Sequence, residues 1–281
     1  MQQYYTTQQL QGHTTFKPHV RIGNWNEDIE LLNEKQKEFL RAKEEGLLPH
    51  QIMERKMNRH LSPIPLTEKR ENGAIHFGDI VMIKSVNTGG ILCMDLDTIL
   101  HHVNDRFACT TSTLTTTPCA RNCFVVEKVP NDTSADMIIP EEESHILHYG
   151  QKFRLKCVSQ FHSPLYLRSE KPSPTCFASG TSSAEKCQEV SVDQVVSYET
   201  VWKIQYLHKG YRLEYEGQAV NVNEPIVLTH CATNQCLSSN QSIVMLNDFG
   251  KEYQVFCKTS LTIHKTEDVC NHFMILQAEN Q

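Results

Sequence analysis

The 281-residue sequence has no apolar segment as long as a secretion signal or a membrane-spanning helix. Residues 1–20 are polar and rich in Gln and Thr, whereas a signal peptide contains a continuous apolar stretch. A spanning helix needs about 20 apolar residues in a row. We therefore expect the chain to stay in the cytoplasm, where thiols are kept reduced. The 11 cysteines are then predicted to be free and mostly buried in strands, as small hydrophobic side chains.

A basic surface is also missing. The formal net charge is −6, and the charge is unevenly distributed along the chain. Residues 1–73 carry 11 Lys and Arg against 10 Asp and Glu, and the remainder carries 16 against 23. Because nucleic acids and anionic membranes attract clustered positive charge, the acidic remainder argues against both as general partners.

Motifs that carry catalysis or bind a metal are absent as well. The sequence contains no Gly-rich phosphate loop, no Gly-x-Ser-x-Gly turn and no His-Glu-x-x-His. The nearest approaches to zinc-ligand spacing are His230 and Cys231 with Cys236, and Cys119 with Cys123, but a structural zinc needs four ligands at matched spacing. We predict a non-enzymatic protein without catalytic residues, metal or cofactor. A Cys–His site assembled in space rather than in sequence stays open as an alternative.

Residues 1–73 are predicted to form an N-terminal arm. Residues 1–20 show no hydrophobic periodicity and are interpreted as an extended tail. Two sets of apolar residues then recur at helical spacing, separated by Gly46 and Pro49: Ile29, Leu32, Phe39 and Leu40 in the first set, and Ile52, Met53 and Met57 in the second. The arm therefore contains two short amphipathic helices, with too little apolar surface to fold alone.

The remaining segment, residues 74–281, contains one unit three times. Each copy opens with a turn residue and alternating apolar positions, and these openings are Gly78–Ile83, Gly150–Leu155 and Asn223–Leu228. Each copy closes with an aromatic and an aliphatic residue two positions apart, and these closures are Phe124–Val126, Trp202–Ile204 and Phe273–Ile275. Because no copy can bury its apolar face alone, the three should close around a pseudo-threefold axis. The predicted fold class is mainly β: a β-trefoil-like domain of three repeats behind an arm with short α-helices.

The copies differ in length, and the extra residues are interpreted as insertions between strands. One insertion runs from Asp95 to Ala120 and includes the Thr-rich run Thr110–Thr117. Another runs from Glu170 to Ser197 and is rich in Ser and Pro. Loops of this length usually carry function or lack a fixed structure.

Seven segments are specific as an ordered set, although each is short: Arg21–Asp28, Ile75–Asp79, His148–Gln151, Arg212–Gly217, Thr229–Leu237, Phe249–Glu252 and Cys270–Ile275. Together they resemble the cilia- and flagella-associated protein 161 family, over nearly the whole chain. The sequence departs from that family in the Cys- and Thr-rich insert around Cys109–Cys123. It also has no counterpart of the longer C-terminal tail associated with some relatives.

The resemblance implies a non-catalytic structural protein of cilia and flagella. Such a microtubule inner protein binds the lumenal side of axonemal doublet microtubules and stabilises them for ciliary motility. Its implied partners are tubulin, through the lumenal surface, and neighbouring microtubule inner proteins, with one monomer repeated along the lattice of the axoneme, a part of the cytoskeleton. The alternative is a ligand- or carbohydrate-binding β-trefoil module. The Gln-x-Trp motif that lectin trefoils repeat is absent here.

We predict that partner binding involves the segment that leads into the first helix: Arg21, Gly23, Asn24, Trp25, Asn26, Glu27 and Asp28. Arg21 can donate to a carboxylate, and Gly23 allows close backbone approach. Trp25 supplies rigid apolar area of the kind found at binding hot spots. The other interpretation is that Trp25 is a hydrophobic staple that packs the arm onto the adjoining domain.

Overall fold

The computed structural model describes residues 25–100, 106–130, 139–158, 163–174, 176–178 and 187–279. The chain divides into two compact units, Met1–Asn58 and Arg59–Gln281. The protein is mainly β with helices in its N-terminal part, so the mainly β part of the predicted class is confirmed. Residues 59–73 lie in the second unit, where Pro63 forms a β-bridge with Cys119 and Glu68 forms one with Ala278. The predicted domain boundary after residue 73 stays a prediction.

The first unit contains a helical hairpin. Its helices are α1 (Trp25–Glu44) and α2, which begins in this unit (Pro49–His60). Gly46 lies between them with φ of +69°, a left-handed conformation that is strained for residues with a Cβ atom, so α1 ends where the sequence predicts. Pro49 opens α2, where its missing N–H loses no hydrogen bond. Within the described residues, no helix is both long and apolar enough to cross a membrane.

The second unit contains the strands. Within the described ranges, a short helix, α3 (Arg212–Tyr215), and four 3₁₀ turns lie between them. All pairings between the strands of the described ranges are antiparallel. The strands are β1 (Ile80–Ser85), β2 (Ile91–Ile99), β3 (Phe107–Ser112), β4 (Phe124–Lys128), β5 (Lys152–Cys157), β6 (Tyr166–Ser169), β7 (Gln188–Asp193), β8 (Trp202–Tyr206), β9 (Pro225–His230), β10 (Leu237–Asn247), β11 (Gly250–Cys257) and β12 (His272–Leu276).

Six of the strands form a closed ring. Strand β1 pairs with β4 and β12, β5 pairs with β4 and β8, and β9 pairs with β8 and β12. Every strand of the ring thus has a partner on both sides. The ring therefore has no open edge at which another strand could add.

An equivalent residue pair recurs at three places in this ring. The opposed pairs are Val81 with Phe124, Phe153 with Trp202, and Ile226 with Phe273. All six side chains are 0% exposed, which confirms the burial predicted for the openings and closures of the three copies. Trp202 also donates its indole N–H to the carbonyl of Leu167 at 2.9 Å, so its polar atom is satisfied inside the core.

The other six strands form three hairpins that meet one another. The hairpins are β2–β3, β6–β7 and β10–β11. Their returning strands pair as β3 with β7, β7 with β11, and β11 with β3. Leu92, Leu167 and Leu237 lie near the start of the three hairpins and are fully buried in the same core as the ring.

The structure corrects the interpretation of the two long segments as insertions. Residues 95–120 contain the end of β2 and all of β3, and residues 170–197 contain all of β7. Strands β3 and β7 are buried at every position. The sequence of β3 lacks the apolar–polar alternation by which a half-buried strand is recognised, whereas in β7 Val190 and Val192 alternate with polar residues that are buried as well. Some of their polar side chains contact polar groups of other strands, as when Thr111 Oγ1 lies 2.7 Å from Ser239 Oγ.

A buried ion pair connects the Cys-rich segment to β11. Arg121 donates to the Glu252 carboxylate at 2.8 and 3.1 Å, and both residues are 0% exposed. Glu252 also accepts from Thr110 and from Asn247, each at 2.6 Å, and the Arg121 guanidinium lies 3.7 Å from the centre of the Phe249 ring. Burial opposes ionisation of the carboxyl group, but these hydrogen bonds outweigh it and lower the pKa of Glu252. The segment is therefore fixed in the core.

Candidate partner-binding surface

The residues predicted to bind a partner lie at and before the start of α1. Arg21, Gly23 and Asn24 lie outside the described residues. The backbone of the other four forms the first turn of α1: Trp25, Asn26, Glu27 and Asp28. The structure thus places four of the seven residues on one helical turn, and the binding roles proposed for their side chains stay predictions.

Apolar side chains continue along α1 beyond this turn. Ile29, Leu32, Phe39 and Leu40 recur at helical spacing, and their exposed fractions are 44, 63, 53 and 48%. A surface helix normally buries such a stripe against the body of the protein. Large apolar side chains exposed in a row are instead typical of an interaction surface.

The turn and α2 add further exposed apolar residues. Leu47, Ile52 and Met53 have exposed fractions of 54, 49 and 38%. The side chains of α2 also hold the turn, because Arg55 donates to the Gly46 carbonyl and Gln51 donates to the Lys43 carbonyl at 3.3 Å. We name the exposed apolar residues of the hairpin the arm face: Ile29, Leu32, Phe39, Leu40, Leu47, Ile52 and Met53.

Two basic side chains of α1 are paired with nearby carboxylates. Lys37 Nζ lies 2.8 Å from Glu34, and Arg41 Nε lies 2.9 Å from Glu45. The hydrogen bond from Lys37 to Glu34 and the charge of that carboxylate raise the pKa of Lys37. Exposed pairs of this kind contribute little to stability. The apolar area of the arm face is therefore the property of the hairpin that is best suited to recognition.

The cysteines have the opposite environment to that of a reactive thiol. Ten of them are buried and Cys231 is half-buried, which confirms the predicted burial. The predicted location in strands holds only for Cys93, Cys109, Cys157 and Cys257, and is wrong for the other seven, which lie in turns and loops. Burial raises the pKa of Cys93 to about 12 and that of Cys123 to about 12. A nucleophilic or metal-bound cysteine must be a thiolate at neutral pH, and these two thiols stay protonated there.

His230, from the nearest approach to zinc-ligand spacing, is a core residue. Its Nδ1 lies 2.8 Å from Thr233 Oγ1, and its Nε2 lies 2.9 Å from the carbonyl oxygen of Glu199. The ring centre lies 5.0 Å from that of Trp202, and burial lowers the pKa of His230. Both ring nitrogens are already in contact with protein atoms, so this histidine supports the core.

Among the described residues, one group has the geometry to hold a metal ion: His60, Asp95 and Asp97. Its polar atoms already have protein partners. His60 Nε2 accepts from the Leu96 N–H at 3.0 Å, and the Asp95 carboxylate accepts from the Asp97 N–H at 3.1 Å and from Thr98 at 2.7 Å. The β2–β3 ladder shifts register after Asp95, and these hydrogen bonds stabilise that irregularity.

Comparison with known proteins identifies the family. The chain matches the model of the "Cilia- and flagella-associated protein 161-like domain" over residues 54–278. The chain belongs to the cilia- and flagella-associated protein 161 family. The family member from Danio rerio is 32% identical over 94% of this chain and 88% of its own length. The member from Bos taurus is 34% identical over 93% of this chain and 82% of its own.

The similarity to other family members includes most of the arm. An alignment over 94% of the chain cannot be reached without most of residues 1–53, which precede the matched domain. The resemblance carried by the segments from Arg21–Asp28 to Cys270–Ile275 is thereby confirmed. The protein is cilia- and flagella-associated, and its location is the cilium or flagellum.

Solved structures resemble the family member described here in fold. The SDF2-like protein from Arabidopsis thaliana has a TM-score of 0.52 at 15% identity, over 74% of this chain and 99% of its own. A Caenorhabditis elegans protein of unknown function has a TM-score of 0.52 at 13% identity, over 74% and 98%. At these identities the likeness concerns the fold alone.

Proposed function

We propose that the second unit is a β-trefoil and that the protein is a non-catalytic microtubule inner protein. Three features support the trefoil: the closed ring of six strands, the three hairpins that meet one another, and the buried pair that recurs three times. In such a fold each repeat supplies four strands, and the three repeats bury one shared core.

The proposed role is to bind the lumenal surface of axonemal doublet microtubules and to stabilise them for ciliary motility. The exposure of the arm face carries this proposal. A protein of a cilia- and flagella-associated family that exposes a row of large apolar side chains is built to be covered by a partner. Tubulin and neighbouring microtubule inner proteins are the partners that we propose for it.

Charge complementarity explains little of the proposed contact. The chain carries a formal net charge of −6, and tubulin is also acidic, so long-range attraction cannot drive association. The segment 1–73 is nearly neutral, which makes the arm the part of the chain that an acidic lattice repels least. Apolar burial at about 25 cal/mol per Å² is then the main favourable term.

The proposed affinity for the microtubule comes from two linked contacts, one made by the arm and one by the β-trefoil. If the arm and the β-trefoil each touch the lattice, the second contact forms within an already bound molecule. Linking two weak contacts raises apparent affinity by roughly 10²–10⁴ without improving either one. The arm therefore contributes most when the second unit is also seated, and neither part needs a large interface.

Cryo-electron microscopy of isolated axonemes tests the proposal. We expect density that fits the second unit inside the doublet lumen, at a regular spacing along the lattice. A salt wash of demembranated axonemes provides a second readout, because proteins on the outer surface are extracted while enclosed proteins are retained. Density on the outer surface, or complete extraction with the membrane and matrix fraction, would contradict the proposed location.

A further inference from the structure

Three tyrosines of the second unit form a cluster that the proposed lattice contact does not explain. The Tyr206 and Tyr215 rings are stacked, with centres 3.7 Å apart and planes 7° apart. The Tyr149 ring is nearly perpendicular to both, at 86° and 90°, with centres 5.7 and 6.1 Å away. The three rings therefore form an aromatic corner rather than a continuous stack.

This corner lines a cavity of about 300 Å³, which we name the tyrosine pocket. Glu224 is the carboxylate in its wall, and His208 is the other ionisable side chain there besides the tyrosines. The basic residues Lys209 and Arg212 line a neighbouring cavity instead. The tyrosine pocket thus combines aromatic surface with one negative charge.

The pocket is held in shape by hydrogen bonds outside it. Arg212 donates from Nε to the Tyr206 carbonyl at 2.9 Å and pairs through its terminal nitrogens with Glu267 at 2.8 and 3.0 Å. These contacts fix α3, which carries Tyr215. Tyr149 is fixed by its backbone, because its N–H donates to the Gln218 carbonyl at 2.9 Å. The aromatic corner is therefore preorganised.

Tyr149 lies in the wall of the tyrosine pocket beside Glu224 and is 3% exposed. Burial and the neighbouring Glu224 carboxylate raise the pKa of Tyr149, so its hydroxyl stays protonated. The Tyr149 side chain is therefore a neutral part of the wall, and Glu224 supplies the negative charge of the pocket.

We propose that the tyrosine pocket binds the ammonium group of a lysine side chain presented by a protein partner. Aromatic rings attract a cation through their quadrupole, and Glu224 neutralises its charge. An ammonium group has three donors, and the Glu224 carboxylate in the wall can accept from one of them.

Lysine fits the pocket better than arginine. One oxygen of Glu224 already accepts from Asn221 Nδ2 at 3.1 Å, so the carboxylate cannot present both oxygens freely to a guanidinium fork. A compact ammonium group needs a single oxygen. The inference does not depend on whether the partner is tubulin or another protein.

Nuclear magnetic resonance of the full-length protein with labelled tyrosine rings tests the inference. The probes are Nα-acetyl-lysine methylamide and Nα-acetyl-norleucine methylamide, which share a chain of similar length but differ in charge. We expect saturable shifts of the Tyr206 and Tyr215 ring signals with the lysine probe, and binding about tenfold weaker with the norleucine probe. Equal binding of the two probes, or no saturation with lysine, would overturn the proposal.

Two isosteric variants locate the charge that matters. Glu224→Gln keeps the acceptor for Asn221 and removes the negative charge, so lysine binding should fall about tenfold. Glu216→Gln changes a carboxylate in the neighbouring cavity and should leave binding unchanged. Equal losses of lysine binding in both variants would show a general effect of charge and would contradict binding in the tyrosine pocket. Ring shifts produced by a neutral monosaccharide at the strength of the lysine probe would favour a carbohydrate ligand and also overturn it.

Discussion

The two units of this protein use the same kinds of apolar residue in opposite ways. In the second unit, Phe124, Trp202 and Phe273 are fully buried inside a closed ring of strands. In the arm, Leu32 and Phe39 are 63 and 53% exposed along one helix. Burial makes the first set responsible for stability, whereas exposure leaves the second set free for recognition. Mutations in each set test whether stability and recognition reside in different parts of the chain.

The largest effect is expected where the core is emptied. Trp202→Ala should destabilise the protein by about 3–5 kcal/mol, because it removes a fully buried aromatic side chain and leaves a cavity. Phe39→Ala in the arm is the matched control and should change stability by less than about 0.5 kcal/mol. Denaturant unfolding, followed by circular dichroism, measures both. A small loss of stability in Trp202→Ala would contradict the role of Trp202 as a core residue of the ring.

The buried ion pair should come next. Arg121→Met leaves Glu252 charged and without its cation, which should cost about 3 kcal/mol at pH 7. The pKa of Glu252 is lower in the folded protein than its value of 4.5 in the unfolded chain. The ionised carboxylate therefore stabilises the folded protein above pH 4.5, and this stabilisation is lost as the pH falls through the folded-state pKa. The acid-side loss of stability should therefore shrink in Arg121→Met. If the free energy of unfolding of the wild type and of Arg121→Met fell in parallel with pH, Arg121 would not be the group that lowers the pKa of Glu252.

A second carboxyl group, that of Glu189, should show the opposite pH dependence. Burial raises the pKa of Glu189 to about 7, so its folded form holds a proton that the unfolded form loses above pH 4.5. The stabilisation of the folded protein by protonated Glu189 is fully present below pH 4.5 and is lost as the pH rises to about 7. Relative to Glu189→Gln, the wild-type protein should lose about 2–3 kcal/mol of stability across this range. Equal slopes for both proteins in urea unfolding would contradict the raised pKa.

Alternating apolar positions in the sequence predict the ring strands, and in β4, β5, β8 and β12 burial alternates in the same way. Strand β3 is missed because both of its faces are buried and its sequence does not alternate. Strand β7 alternates in sequence, but its polar residues are buried too, and its Ser- and Pro-rich surroundings are interpreted as an insertion. The Arg121–Glu252 pair is missed because its members lie 131 residues apart. An amphipathic pattern identifies the stripe through Leu32, but the same pattern describes a covered face and an exposed one. The tyrosine pocket draws its rings from three separate segments, which no local pattern joins.

The smallest expected effect on stability belongs to the arm face. Leu32→Asp with Phe39→Asp should change the free energy of unfolding of the second unit by less than about 0.5 kcal/mol, because both side chains are more than half exposed. Lys35→Gln with Arg41→Gln changes the net charge equally and leaves the arm face intact. A large loss of stability in the aspartate variant alone would mean that the face packs within the protein, as the staple interpretation of Trp25 suggests.

The occupancy of these two full-length variants in axonemes shows whether the arm face seats the protein on its partner. Each variant is expressed in ciliated cells that lack the wild-type protein, and its amount in salt-washed doublets is measured by quantitative mass spectrometry against tubulin. The lysine and arginine control should incorporate as the wild type does. The aspartate variant should fall about tenfold or more, since hot-spot side chains carry most of the binding energy of an interface. Normal occupancy of the aspartate variant would contradict the claim that the arm face seats the protein on its partner.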